Sequence, residues 1–190
     1  MTEEPHRSND AADHGPTGEL AIVGIGNELV TDDGVGPRLV AAMDSLPEMP
    51  PPGVRLVNAG TTGFLALEAM SGCERAIVVD AIETGADPGT VHQYRCREGG
   101  FEGPIPDMTM HDVSFTEALC FARDVYELPD DVLILGVEPG SLQTGFGLSE
   151  PVELAIPKLI EMIVATDPRL DPVHLEGAGE ETLEREVMDA

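Results

Sequence analysis

Short apolar runs alternate along the chain with stretches in which apolar residues recur at helical spacing. Two of the runs, AIVV and LIL, are continuously apolar, as is typical of strands that are covered on both faces. The runs predict five strands, at residues 20–26, 54–60, 75–82, 89–95 and 131–138. Helical spacing predicts four helices, at residues 34–46, 62–72, 114–125 and 149–165.

Residues at the helix ends support these boundaries. Ser114 and Glu117 have the spacing of a capping box at the start of the third helix. The fourth helix is predicted to begin after Ser149, with Glu150 in the first turn, where the helix dipole favours negative charge. Pro157 is expected to bend that helix or to mark its true start.

The order of the elements predicts an α/β fold. Strands that alternate with helices favour a single three-layer domain, with a mostly parallel twisted sheet of about five strands and helices on both faces. Residues 89–95 follow the preceding strand after a linker too short for a helical crossover, which predicts an antiparallel strand near an edge. We assign residues 19–168 to this domain. Residues 1–18 and the acidic residues 169–190 are predicted to be disordered tails.

Charge excludes several classes of partner. The 190 residues carry a net charge of −26 and a single lysine, Lys158. We therefore expect neither nucleic acid nor a membrane surface as a ligand. The acidity fits either a high-salt habitat or simple solubility.

The three cysteines form no C-x-x-C pair, which argues against a disulfide framework or a zinc knuckle. No apolar run approaches the ~20 residues of a membrane span, and we expect a cytoplasmic protein.

The junction between the first strand and the first helix, GIGNELVTDDGVG at residues 24–36, is unusual. The chain contains no G-K-[S/T], and Leu29 stands where a dinucleotide fingerprint needs glycine. The acidic pair at 32–33 would also repel a pyrophosphate, so we expect no nucleotide. A purely structural reading remains open, in which Gly24 and Gly26 permit a tight turn and Asp32 caps the helix.

Three polar residues are expected to meet at one rim of the sheet. Asp80 closes a buried strand, and the carboxyl ends of parallel strands lie at one edge, beside the loop that carries Asp33. His111 lies in a loop just before a predicted helix. Two carboxylates and an imidazole can bind nickel, zinc, copper or iron. Each residue also has an ordinary reading, as a turn cap, a solvated acid or a loop histidine. His92 is less promising, because it lies within the predicted edge strand.

Several motifs occur together in a fixed order over residues 20–165. They are GIGNELVTDDGVGPRLV, NAGTTG, VVDAI, DPGTV, MHDVSFTEAL and ILGVEPGSLQTGFGLSEPV. In this order the sequence resembles the hydrogenase maturation endopeptidases. Those enzymes remove a C-terminal extension from the large subunit of nickel–iron hydrogenases after nickel has been inserted.

The resemblance implies roles for particular residues. Asp33, Asp80 and His111 match the nickel-contacting positions, although some members carry glutamate at the first of them. Asp33 and Asp80 are also implied to be catalytic, and nickel is implied to arrive in the precursor of the large subunit. The substrate-binding loops are implied to be those with Gly26, Asn27, Gly60, Thr61 and Gly63.

The mechanism and even the cleavage stay open at this point. Nickel can polarise the scissile carbonyl, or Asp33 or Asp80 can act as a base on water in an aspartyl-type mechanism. Binding to a cation lowers the pKa of a carboxylate and makes it a poorer base, which favours the first of these. An alternative function is a metal-sensing chaperone that docks the nickel-loaded subunit without cutting it.

Overall fold

The computed structural model describes residues 19–97, 100–102, 119, 122 and 125–171 of the chain. Within these residues six strands form one sheet, and α-helices pack on both of its faces. The strands are β1 (Leu20–Ile25), β2 (Val54–Gly60), β3 (Arg75–Ala81), β4 (Val91–Arg97), β5 (Gly100–Glu102) and β6 (Asp131–Val137). The helices are α1 (Val35–Asp44), α2 (Gly63–Met70) and α3 (Glu150–Val164), with 3-10 helices at Thr31–Gly34 and Pro168–Leu170.

The sheet confirms the predicted α/β fold and adds one strand. The strand order is β2-β1-β3-β6-β4-β5. Strands β1, β2, β3 and β6 are parallel, whereas β4 is antiparallel to β6 and β5 is antiparallel to β4. The predicted antiparallel strand is therefore confirmed. It lies next to the edge, because the short strand β5 pairs with its outer side.

The two faces of the sheet bury separate apolar clusters. One face packs against α1 and α3, and the other packs against α2 and Leu119. All six residues of β1 are buried, which explains their continuously apolar sequence. In α1, Val35, Leu39 and Met43 form the buried stripe, as their spacing predicts. Leu46 lies beyond the end of α1 and is partly exposed.

The last helix begins where the sequence predicts. Its N-cap residue is Ser149, and the helix continues through Pro157 to Val164. Pro157 therefore does not mark the helix start. After α3 the chain remains packed, and Leu170 is buried against the core.

Some predictions fall outside the described residues. The capping box of Ser114 and Glu117, and most of the helix predicted at 114–125, lie there. So do His111, residues 1–18 and residues 172–190.

Strand β1 and helix α1 approach each other at backbone contact distance. A Cβ atom on Gly24 would lie 2.2 Å from the Gly36 carbonyl oxygen, and one on Gly36 would lie 2.3 Å from the Ile25 oxygen and 2.5 Å from the Val79 oxygen. Real Cβ atoms do not come this close to other atoms. Glycine at these two positions therefore lets the start of α1 rest directly on β1 and β3, just below the rim that carries the polar residues.

Candidate functional site

Asp33 and Asp80 lie close together at the rim formed by the carboxyl ends of β1 and β3. Asp80 belongs to β3 and is 5% exposed. Asp33 belongs to the 3-10 helix that precedes α1 and is half-buried. The negative charge of Asp33 acts on the Asp80 carboxyl group. The sequence-based expectation that these two acids share one rim therefore agrees with their placement.

The environment of Asp80 changes its acidity. Burial, and to a smaller extent the charge of Asp33, raise the pKa of Asp80 to about 7, although the Ala81 N–H donates a hydrogen bond to its Oδ1 atom at 2.8 Å. Near neutral pH the Asp80 carboxyl group can therefore hold or release a proton. Two neighbouring carboxylates repel each other, and a divalent cation bound between them would relieve that repulsion. The pair is thus suited to a hard or borderline cation.

The loop after β1 orients Asp33. The Asn27 N–H donates a hydrogen bond to Asp33 Oδ2 at 2.8 Å, and the Asn27 side chain accepts one from Leu29 N at 3.0 Å. Gly26 has a φ of 137°, and a Cβ atom there would lie 1.7 Å from the Asp33 carbonyl oxygen. Glycine at position 26 therefore lets the loop fold back against Asp33.

Asp32 has a different role from the one expected. It does not cap α1, which has no side-chain cap. Its carboxylate is fully buried and accepts four hydrogen bonds, from the N–H groups of Gly140, Ser141 and Ser149 and from the Ser149 hydroxyl. Burial alone would raise the pKa of Asp32, but the bonds from Ser149, Ser141 and Gly140 outweigh burial and lower it.

Asp32 thereby fastens residues 139–149, which we call the rim loop, to the loop after β1. Backbone bonds reinforce this attachment. Thr31 N donates to Gly145 O at 3.0 Å, and Gly145 N donates to Leu29 O at 2.9 Å. The Thr31 hydroxyl also donates a hydrogen bond to the Ser141 backbone carbonyl oxygen at 2.6 Å. The sequence pattern predicts no structural role for the rim loop, although the loop lies within the motif ILGVEPGSLQTGFGLSEPV.

A groove of about 450 Å³ lies between the loop after β1 and the loop after β2. The two loops are joined by a hydrogen bond from Gly26 N to Gly60 O at 2.8 Å. Four of the residues expected to bind substrate line the groove: Gly26, Asn27, Gly60 and Thr61. The fifth, Gly63, is the first residue of α2 and is not among the lining residues.

His92 is closer to this rim than the sequence suggested. It is the second residue of β4 and pairs with Gly136 of β6, which in turn pairs with Asp80. His92 Nε2 lies 3.2 Å from the Thr84 hydroxyl and 3.6 Å from Glu138 Oε2. His92 therefore belongs to the same row of the sheet as Asp80, two strands away.

Glu138 fixes the turn that follows Asp80. Its buried carboxylate accepts hydrogen bonds from Thr84 N at 2.8 Å, the Thr84 hydroxyl at 2.7 Å and Gly85 N at 2.9 Å. Burial opposes ionisation of Glu138, but these bonds lower its pKa overall. No local sequence pattern predicts this role of Glu138, because an acid after an apolar strand is equally typical of a solvated surface.

The third predicted ligand, His111, is not among the described residues, so its position relative to Asp33 and Asp80 stays a prediction. In the part of the chain that the structure describes, no group of three His, Cys, Asp or Glu side chains is close enough to hold a metal ion. That part also contains no helix long and apolar enough to cross a membrane.

Comparison with known proteins identifies the family. The family model described as hydrogenase maturation protease matches residues 37–166. The chain belongs to the hydrogenase maturation protease family. Among the relatives of this hydrogenase maturation protease, hydrogenase 2 maturation protease from Escherichia coli (strain K12) is 29% identical over 175 residues, or 89% of this chain and 98% of the relative.

Two further relatives agree with this assignment. The hydrogenase expression/formation protein HupM of Azotobacter chroococcum mcd 1 is 31% identical over 152 residues, which cover 80% of this chain and 72% of the relative. The solved structure of the hydrogenase maturating endopeptidase HybD from E. coli has a TM-score of 0.64 and 30% identity, and the match covers 77% of this chain and 90% of HybD. This hydrogenase maturation protease is therefore an endopeptidase that acts in hydrogenase maturation.

Proposed function

We propose that this endopeptidase removes a C-terminal extension from the precursor of a nickel–iron hydrogenase large subunit after nickel has been inserted, and that it does so in the cytoplasm. The observation that carries the proposal is the Asp33–Asp80 pair beside an open groove. Its two carboxylates repel each other, and burial together with the charge of Asp33 leaves Asp80 about half protonated at pH 7. Nickel carried by the precursor is a cation of the kind that such a pair can bind.

In this proposal Asp33, Asp80 and His111 contact the nickel ion that the precursor brings. Asp33 is already oriented by Asn27, and Asp80 is held at the end of a fully packed strand. The precursor segment beyond the nickel site then extends along the groove. Its backbone passes the loops that carry the expected substrate-binding residues, Gly26, Asn27, Gly60, Thr61 and Gly63.

The raised pKa of Asp80 bears on how the peptide bond is cut. Free Asp80 titrates near neutral pH and can accept a proton from water. Bound to nickel, it would have a lower pKa and be a weaker base. We therefore favour polarisation of the scissile carbonyl by the precursor's nickel. In the alternative arrangement, only one of Asp33 and Asp80 binds the metal and the other activates the water.

A second candidate function is a chaperone that docks the nickel-loaded subunit without cutting it. The protease and the chaperone would both use Asp33 and Asp80, so only cleavage of the precursor distinguishes the two functions. The experiment is to incubate the protein with each nickel-loaded large-subunit precursor encoded in the same genome and to follow the precursor by mass spectrometry. Loss of a C-terminal peptide supports the protease, whereas an unchanged mass despite stable binding supports the chaperone.

Variants then test the assigned site. We expect Asp33→Asn and His111→Ala to abolish processing while the far-ultraviolet circular dichroism spectrum stays that of the unaltered protein. Asp44→Asn, at the exposed end of α1, is the matched control and should process normally. Normal processing by both site variants would show that the site has been assigned wrongly.

A further inference from the structure

Two large apolar side chains, Leu29 and Phe146, are exposed at the groove next to Asp33. Both line the groove, and they are 54% and 85% exposed. Exposure of a full phenylalanine side chain leaves a large apolar area in water. That area costs free energy unless another molecule covers it during part of the protein's life.

The backbone holds both residues in fixed positions. Leu29 O accepts a hydrogen bond from Gly145 N, and Val30 forms a β-bridge with Gly145, the residue before Phe146. The rim loop is further fastened by the buried carboxylate of Asp32. Leu29 and Phe146 are therefore presented by a rigid pair of loops. Such preorganisation lowers the conformational entropy that these two loops lose when a partner binds.

The charge around the groove restricts what can cover it. Glu28 lines the groove between the two loops. Arg38, which lines the smaller groove on the other side of Phe146, forms an ion pair with Glu153 at 2.9 Å. Every arginine within the described ranges has a carboxylate partner. With Glu28 and the two site acids nearby, an acidic partner would be repelled and a neutral or basic one favoured.

The groove is continuous with the candidate site. Asn27 lines the groove, and its backbone N–H donates to the Asp33 carboxylate at 2.8 Å. A chain segment that lies between Leu29 and Phe146 therefore lies against a loop whose Asn27 directly contacts the Asp33 carboxylate. The occupant that fits this position is part of the same molecule that carries the nickel.

We propose that Leu29 and Phe146 form a docking clamp that seats an apolar side chain from an uncharged or basic segment of the hydrogenase large-subunit precursor, with Glu28 facing the basic groups. This inference rests on the proposed function. The clamp adds to the affinity for the precursor without taking part in cleavage, whereas Asp33 and Asp80 contact the precursor's nickel and are needed for cleavage.

The test measures processing of the nickel-loaded precursor over a range of precursor concentrations. For Leu29→Ser and Phe146→Ser we expect the concentration for half-maximal rate to rise about tenfold, with little change in the maximal rate. Glu28→Gln should raise it by a smaller factor, and high salt should weaken binding of the unaltered protein more than binding of this variant. Leu154→Ser, on the exposed face of α3 outside the groove, is the matched control and should change neither value.

The outcomes separate this inference from the proposed function. The clamp proposal is wrong if the precursor concentration for half-maximal rate is unchanged in both Leu29→Ser and Phe146→Ser, or if it rises equally in Leu154→Ser. Either result leaves the proposed function intact as long as the unaltered protein cuts the precursor. If the unaltered protein binds the precursor without cutting it, the proposed function fails, and the same variants are compared by their dissociation constants. If it neither binds nor cuts any of the precursors, both proposals fail.

Discussion

The Asp32 carboxylate accepts a hydrogen bond from the Ser149 hydroxyl at 2.7 Å and another from the Ser149 N–H. This contact joins the 3-10 helix before α1 to the N-cap residue of α3, 117 residues further along the sequence. Because Asp32 is fully buried, the contact lies inside the protein and is shielded from water. It fixes the rim loop beside the neighbouring residue, Asp33.

Removal of Asp32 should destabilise the protein more than removal of its neighbour. Asp32→Ala removes a fully buried carboxylate and leaves the N–H groups of Gly140, Ser141 and Ser149 without that acceptor, so we expect the free energy of unfolding to fall by about 3 kcal/mol or more. Asp33→Ala removes one hydrogen bond from a half-buried residue and should cost about 1 kcal/mol or less. Urea unfolding at pH 7 measures both values. Equal losses would show that the rim loop is held mainly by its backbone bonds.

The Asp32 contact should also weaken in acid. Its pKa is lower in the folded protein than in the unfolded chain, so its stabilisation is complete above the ordinary aspartate pKa and is lost as pH falls through the folded value. The difference in unfolding free energy between the unaltered protein and Asp32→Ala should therefore be constant from pH 5 to 7 and shrink below about pH 4. A difference independent of pH down to pH 2 would contradict this account.

Asp80 should have the opposite dependence on pH. Its pKa is raised to about 7, so the folded state favours the protonated form and stability decreases as pH rises from about 4 to 7. In the absence of metal, Asp80→Asn should remove this loss and stabilise the protein at pH 8 by roughly 2–4 kcal/mol, with little change at pH 4. Thermal unfolding of both proteins at the two pH values is the measurement. If Asp80→Asn is less stable than the unaltered protein at pH 8, the pKa of Asp80 is not raised by burial in the folded protein.

The contact between β1 and α1 should not tolerate a methyl group. In Gly36→Ala the new Cβ atom would meet backbone atoms at 2.3–2.5 Å. Overpacking of this kind costs about 1–3 kcal/mol, which exceeds the roughly 1 kcal/mol that alanine gains over glycine inside a helix. We therefore expect a net loss of stability in urea unfolding. Gly100→Ala, where the nearest described atom is 3.7 Å away, is the control and should be close to neutral.

Nickel in the precursor should be required for processing. In the proposed mechanism the repulsion between Asp33 and Asp80 favours precursor that carries the cation. A precursor purified without nickel should remain uncut, and adding nickel before the protease should restore cleavage as judged by mass. Cleavage of nickel-free precursor at the same rate would contradict nickel dependence and leave the endopeptidase assignment in place.

Much of the fold follows from the sequence, and the exceptions have physical reasons. Apolar runs identify the inner parallel strands β1, β3 and β6, because most of their residues on both faces are buried. The short linker after β3 identifies β4 as antiparallel. Strand β5 has only three residues and no apolar pattern, so local sequence cannot distinguish it from a loop. Its residues are identified as a strand only by their pairing with the end of β4, where Arg97 pairs with Gly100 and Cys96 pairs with Phe101.

The site was only partly predictable for a similar reason. Asp33 and Asp80 could be placed together because the ends of parallel strands share one edge, a rule that needs no knowledge of side-chain contacts. The partners of Asp32 are 108 to 117 residues away and those of Glu138 are 53 or 54 residues away, and no local pattern signals such contacts. The sequence therefore predicts Asp33 at the rim, but it does not indicate that Asp32 binds the rim loop instead of capping α1.

The adjacent residues Asp32 and Asp33 thus have different roles in different surroundings. Asp32 binds the rim loop from a buried position, whereas Asp33 lies half-buried at the rim. A shift of the loop by one residue would exchange the two positions. The acid that binds the rim loop would then be exposed to solvent, and the acid expected to contact nickel would be buried. Insertions or deletions between Asn27 and Asp32 should therefore be rejected during evolution even where substitutions are accepted. For an engineer who wants to alter substrate choice, the length of this loop should be kept and its side chains varied.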